Sequence, residues 1–319
     1  MQPYDIIGDV HGHASVLEEL LLKLGYTKGQ KGFYHPERKT VFVGDLLDRG
    51  VENFKTLEIV KAMTDNGQAQ IAMGNHEFNA LCFHTQNTNG SYLRPHVPKN
   101  IHQHEMVLKE IKERGEKEWN IYLEWFRRMP LFLDMNGFRV VHACWDDQSI
   151  ARARAAKIRD VHGRLTDSFL AEASTEGTAL FNMLETLLKG KEIWLPPDHP
   201  GLFDKDGHLR RKVRVRWWMT DEQRKHAEIY DHVARTHKEN LRKLSTVKIP
   251  PDILDELKRD NGNTKGTPIF IGHYWFTGKP APLTEKVACL DYSVAKKGYL
   301  ACYRWDGEQT LSKSKFIFV

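Results

Sequence analysis

Tyr4-Asp5-Ile6-Ile7-Gly8-Asp9-Val10-His11-Gly12 opens with a short apolar, β-prone run that stops at a glycine, then an aspartate and a histidine. The arrangement returns twice. Val41-Phe42-Val43 runs into Gly44-Asp45-Leu46-Leu47-Asp48-Arg49-Gly50, and Ile71-Ala72-Met73 into Gly74-Asn75-His76-Glu77. Between these runs apolar residues recur at helical spacing: Val16, Leu17, Leu20, Leu21 and Leu24 before Gly25, then Phe54, Leu57, Val60 and Met63 before Asn66-Gly67. Strand alternating with helix predicts an α/β sheet with parallel pairing. Two later runs end at His142 and at Gly272-His273, so five short strand-like runs each stop at a metal-capable side chain.

In α/β sheets, functional groups gather in the crevice beyond the carboxyl ends of the strands. Asp9, His11, Asp45, Asn75, His142 and His273 are therefore candidates for one site. The set is all oxygen and imidazole nitrogen, which suits Mn²⁺, Fe or Zn²⁺ in a catalytic site better than a closed structural zinc. Six donors exceed what one ion with an open position needs. Two divalent ions about 3.5–4 Å apart would use them all, with Asp45 as the bridging carboxylate. Such ions bring a water to hydroxide near neutral pH and offset the charge of a bound phosphate.

The three glycine-flanked motifs resemble the signature of the calcineurin-like metallophosphoesterases, and most closely its phosphoprotein phosphatase branch, which includes bacterial diadenosine tetraphosphatases. The resemblance covers roughly the first 80 residues, the region around His142 and the stretch from about residue 268 to the end. It implies an α/β fold (α+β by some schemes): two mixed β-sheets forming a central sandwich flanked by helices, with a dinuclear metal site at strand C-terminal ends. It gives Asp9, His11, Asp45 and His273 to one metal or the bridge, and Asp45, Asn75 and His142 to the other, with Mn the first expectation. His76 matches the family's general acid, Asp48 the carboxylate that orients it, and Arg49 a phosphate-binding arginine. A further phosphate-binding arginine is expected from Lys212-Val213-Arg214-Val215-Arg216, which as a strand puts three cations on one face. The family register favours Arg216, with Arg214 second. Where eukaryotic members have two glycines after His142, Ala143-Cys144-Trp145-Asp146 implies a bulkier, acidic loop.

The implied activity is hydrolysis of phosphomonoesters by direct attack of metal-bound hydroxide, on a phosphoserine or phosphothreonine protein first. Hydrolysis of diadenosine polyphosphates or another nucleotide is the alternative, with Trp217-Trp218 as a stacking surface. A non-catalytic scaffold is the rival class, and the completeness of the residue set argues against it.

The 319 residues carry 47 Lys and Arg against 42 Asp and Glu, an excess too mild to mark a specific nucleic-acid binder. No apolar run has membrane-spanning length and the start has no secretory pattern, so a cytoplasmic protein with no membrane partner is expected. Cys82, Cys144, Cys289 and Cys302 form no CxxC pair and read as reduced, partly buried thiols. Without repeats or linkers, residues 1–319 read as one domain with divergent, mostly helical segments at about 84–128 and 147–266. His84, His96, His102 and His104 are expected on the surface or in loops, Trp119, Trp125 and Phe126 in the core. Glu77 is expected to support the site from behind. The stretch Val287 to Trp305 reads as a hairpin turning at Lys296-Lys297-Gly298.

Overall fold

A computed structural model describes residues 2–195, 200–203, 209–219 and 266–319. The first third alternates as expected: β1 (Tyr4–Ile7), α1 (Ala14–Lys23), β2 (Thr27–Gly29), β3 (Gly32–Tyr34), β4 (Lys39–Phe42), α2 (Asn53–Asp65), β5 (Ala69–Ile71) and α3 (Asn75–His84). The divergent middle supplies α4 (Pro98–Arg114), α5 (Glu116–Phe126), β6 (Phe132–Asp134), β7 (Arg139–Val141), α6 (Asp147–Ala155), α7 (Asp167–Ala173) and α8 (Ala179–Lys189). Short strands follow: β8 (Glu192–Trp194), β9 (Leu202–Phe203), β10 (Leu209–Arg210) and β11 (Lys212–Arg214). The C-terminal part holds β12 (Ile269–Ile271), β13 (Val287–Cys289), β14 (Asp291–Tyr292), β15 (Tyr299–Trp305) and β16 (Phe316–Phe318).

Two sheets result. One runs β14-β15-β1-β4-β5 with β16 on β15, and the other β13-β12-β7-β6. Strands β1, β4 and β5 are parallel, as are β7, β12 and β13, while β15 and β6 run antiparallel to their neighbours. Because side chains alternate along a strand, neighbouring residues serve different cores. Ile6 and Val41 of the first sheet face Val140, Phe270 and Ala288 of the second, with Phe138, Tyr303 and Trp305 between them. Ile7 and Phe42 point the other way and pack with Leu17, Leu20 and Leu21 of α1 and Phe54, Leu57 and Val60 of α2. The chain thus forms the expected sandwich of mixed sheets with helices outside.

Some segments depart from the sequence reading. The stretch from Val287 to Trp305 is not one hairpin, because β13 lies beside β12 in the second sheet while β14 and β15 pair in the first. Leu290 makes the crossing, buried between the sheets, with its N–H donating to the Ile271 carbonyl. The segment after residue 147 holds three helices but also the β8–β11 and β9–β10 ribbons; the remainder expected to be helical, residues 220–265, lies outside the described residues. The loop after His142 is bulky but turned inward. Cys144 and Trp145 are buried, Trp145 packs on Phe132 and under Arg139, and Asp146 caps α6 by accepting from the Ser149 N–H. All four cysteines are buried thiols.

Phe270 is fully buried at the centre of the inter-sheet core. Phe270→Ala should cost about 3–5 kcal/mol of unfolding free energy, read from chemical denaturation. A loss under 1 kcal/mol, in turn, would mean that the two sheets do not depend on this contact.

Candidate metal centre

The loops that follow β1, β4 and β12 are held in unusual backbone conformations. Of the eight non-glycine residues with positive φ among the described residues, five are His11, Asp45, Asp48, Arg49 and His273. Each costs of order 1–3 kcal/mol and persists only where the surroundings over-determine it. The backbone stitching is visible: the Asp45 carbonyl accepts from the N–H groups of Val10 and His11, and the His11 carbonyl from that of Gly50. Glu77, fully buried, accepts from the N–H groups of Gly74, Asp45 and Leu46 at 2.9, 3.0 and 2.7 Å. Its carboxylate ties the second motif to the third, the supporting place expected for it.

The parallel strands deliver their terminal side chains to one point. Asp45 Oδ2 lies 3.2 Å from His142 Nε2 and 3.8 Å from Nε2 of both His11 and His76, and Asp9 Oδ2 lies 4.0 Å from His11 Nε2. Asn75 Oδ1 is 3.1 Å from His142 Nε2 and 2.8 Å from His273 Nδ1. All six candidate ligands are therefore together, and His273 falls on the Asn75 and His142 side, whereas the resemblance grouped it with Asp9 and His11. Gly74 and Gly272 admit this crowding: a Cβ at either would sit 2.2 Å from Asp45 Oδ1 or 2.0 Å from Asp9 Oδ1.

The electrostatics fit a cation. Asp9 Oδ1 is buried and has no hydrogen-bond partner among the described residues. Burial, reinforced by Asp291 and Asp45, pushes the Asp9 carboxyl well above its ordinary pKa. Burial, followed by the charges of Arg49 on His11 and Arg214 on His273, lowers both imidazoles well below theirs and keeps them neutral as donors. His142 moves the other way: burial opposes its charge, but Asp45 holds it up at about 10. An unpartnered buried carboxylate oxygen beside neutral imidazoles is the donor set a divalent ion satisfies.

His76 stands at the edge of this group. Its Nδ1 donates to Asp48 Oδ2 at 2.5 Å, leaving Nε2 directed to the cluster. Burial works against its charge, yet Asp45 and Asp48 raise its pKa above the ordinary value. Asp48 takes a second imidazole: His104 Nδ1 donates to its Oδ1 at 2.7 Å. His104 was expected at the surface and is instead 4% exposed. The signal was present in the spacing, since His104, Val107 and Ile111 share the buried face of α4. Asp291, which the sequence reading also passed over, is buried and accepts from the N–H groups of Trp275 and Ser293, fixing the turn after His273.

The basic strand and its tryptophans are rearranged relative to expectation. Arg214 lies against the site, its Nη1 3.1 Å from His273 Nε2, so it takes first place as the candidate phosphate contact. Arg216 follows the strand and is half-buried. Trp217 and Trp218 are 2% and 5% exposed; the Trp217 indole donates to the Ala143 carbonyl and Trp218 packs edge-on against Tyr274. They are core residues and offer no stacking face. Arg49 is exposed at the rim.

Two sheets whose parallel strands converge on a nitrogen and oxygen donor cluster define a metallophosphoesterase-like fold. The chain belongs to the calcineurin-like phosphoesterase family, whose model matches residues 3–237. It is similar to the asymmetrical bis(5'-nucleosyl)-tetraphosphatase PrpE of Oceanobacillus iheyensis, 31% identical over 175 residues, 52% of this chain and 66% of that protein. It is also similar to PrpE of Geobacillus thermodenitrificans, 47% identical over 73 residues, 23% of this chain and 30% of that one. The matches thus span less than two thirds of either relative. Among solved structures, a protein serine/threonine phosphatase from Saccharomyces cerevisiae has the same fold, with a TM-score of 0.50 at 14% identity over 99% of this chain and 78% of that one.

Asp45→Asn should strip metal from the protein, because an amide is a poorer bridge between cations than a carboxylate; two metals per chain by elemental analysis would remove Asp45 from that role. Metal uptake should also release protons and weaken as pH falls. A cation takes only neutral imidazole, and the proton on His142 competes more strongly at lower pH. Calorimetry in buffers of different ionisation enthalpy measures the release, and observed heats that do not change from buffer to buffer would contradict it.

Proposed function

We propose that this protein is a metal-dependent hydrolase of phosphoric esters with a dinuclear centre, most favourably of Mn, with Fe or Zn as alternatives. The observation that carries this reading is the meeting of Asp9, His11, Asp45, Asn75, His142 and His273 at the ends of parallel strands from both sheets. Asp9, His11 and Asp45 would hold one ion; Asp45, Asn75, His142 and His273 would hold the other. When bound, such ions supply Lewis acidity and lower the pKa of water. Arg49 and Arg214 bind the phosphate oxygens through guanidinium hydrogen bonds. His76, its Nδ1 anchored on Asp48, presents Nε2 to give a proton to the departing oxygen.

For the substrate, a dinucleoside polyphosphate or related nucleotide is the first reading, supported by the names of the PrpE relatives and by one surface. On the β8–β11 ribbon Trp194 pairs with Lys212, whose Nζ lies 4.6 Å from the indole centroid, and Glu192 pairs with Arg214. Residues 212 and 214 share a face, and Trp194 is 61% exposed, so a stacking surface and a cation lie one strand repeat from the arginine at His273. A phosphoserine or phosphothreonine protein is the second reading. The His76–Asp48 pair favours it, because a serine alkoxide needs a proton to leave more than a nucleotide phosphate does.

The test is turnover of the Mn²⁺-loaded protein on diadenosine tetraphosphate, a phosphoserine peptide and p-nitrophenyl phosphate, with products identified. Trp194→Ala should raise KM for diadenosine tetraphosphate by roughly 5- to 100-fold, the loss of one base–aromatic stack, and leave p-nitrophenyl phosphate unchanged. Preference for the peptide with no effect of Trp194→Ala would favour the second reading, and turnover of none of the three would overturn both.

A further inference from the structure

Asp48 is a carboxylate with two imidazole partners, and a proton-donating pair requires only one. His76 Nδ1 occupies Oδ2 at 2.5 Å and His104 Nδ1 occupies Oδ1 at 2.7 Å. A carboxylate can only accept, so both Nδ1 atoms carry hydrogen and both tautomers are fixed by the same residue. Behind His104, its Nε2 lies 3.2 Å from Nε2 of His84, the last residue of α3. The His104 ring is walled by Phe83 and Trp119, at centroid distances of 5.2 and 5.9 Å. These two rings pack on it from within the domain. The backbone of Asp48 is equally fixed, with φ of 69° and its N–H donated to Asn53 Oδ1.

We propose that His104 is a positioning residue for proton donation by His76. Holding one oxygen of Asp48 fixes the carboxylate plane, so that the other oxygen stays on the His76 Nδ1–H and Nε2 stays aimed at the leaving group. The inference rests on the reading of His76 as the proton donor. It assigns α4, which belongs to the divergent middle of the chain, a part in the chemistry although it supplies no candidate ligand. Without His104, Asp48 Oδ1 would be a buried acceptor with an empty partner position and the carboxylate would be free to rotate away from His76.

The experiment compares wild type, His104→Ala and His104→Asn, whose side-chain amide can donate from near the position of Nδ1. With phenyl phosphate, whose phenolate leaves poorly, His104→Ala should lose about 10-fold or more in kcat, a part of the 10²–10⁴ usual for general acid catalysis. With p-nitrophenyl phosphate, whose leaving group departs unaided, kcat should stay within about 2-fold. KM and metal content should not change, and His104→Asn should recover most of the loss on phenyl phosphate. A readout independent of turnover is the downfield proton resonance of the His76 Nδ1–H in the metal-free protein, which should shift or broaden in His104→Ala and return in His104→Asn. Equal losses on both substrates, or an unmoved resonance, would overturn the proposal. His76→Asn serves to separate it from the reading beneath it: equal losses on both substrates in that variant would remove His76 as proton donor, while the resonance would still report whether His104 holds Asp48.

Discussion

The carboxylate of Asp45 is the point through which the rest of the site is held. One oxygen accepts from the backbone N–H of His76 at 2.9 Å, and the other faces the imidazoles of His142, His11 and His76. The backbone carbonyl of the same residue holds the loop after β1. Burial alone would raise such a carboxyl, but the charges of His142 and His76 keep it well below its ordinary pKa, so it stays an anion in an interior that otherwise excludes charge. The backbone at this residue leaves the extended conformation of β4 for a φ of 55°.

The sandwich supports this by geometry more than by contact. Three parallel strands in each sheet point their carboxyl ends the same way, and the inter-sheet core of Ile6, Val41, Phe270 and Ala288 keeps them in register. Apolar burial of this kind is strong but without direction; hydrogen bonds such as those of Glu77 to three N–H groups set the final ångström.

What could be read without coordinates was whatever is local along the chain. A β-prone run, a glycine and a donor are adjacent residues, and the strand-end rule converts each into a position in space, which is why the six candidate ligands are legible in the sequence. His104 could not, because its partner Asp48 is 56 residues away and no motif surrounds it; only its place on the buried face of α4 hinted at a role. The tryptophan pair failed for the opposite reason: aromatic residues beside arginines read as a surface, while the Trp217 indole had a buried carbonyl to satisfy at Ala143. The crossing of the chain between sheets at Leu290 was hidden because two short strands joined by one apolar residue look the same whether they continue one sheet or change to another.

Ligands drawn from both sheets have a mechanical meaning. Asp9, His11, Asp45 and Asn75 follow strands of the first sheet, and His142 and His273 follow strands of the second. Ions held by both sets, as proposed, would act as rivets across the seam of the sandwich, and their binding energy would add to the cohesion of the halves by mass action. Chelation would then do more than silence a catalyst: it would loosen the seam, leaving the donors of the two sheets with nothing to join them across it. The lifetime of the folded protein in a metal-poor medium would then be a property of the ion supply as much as of the apolar core.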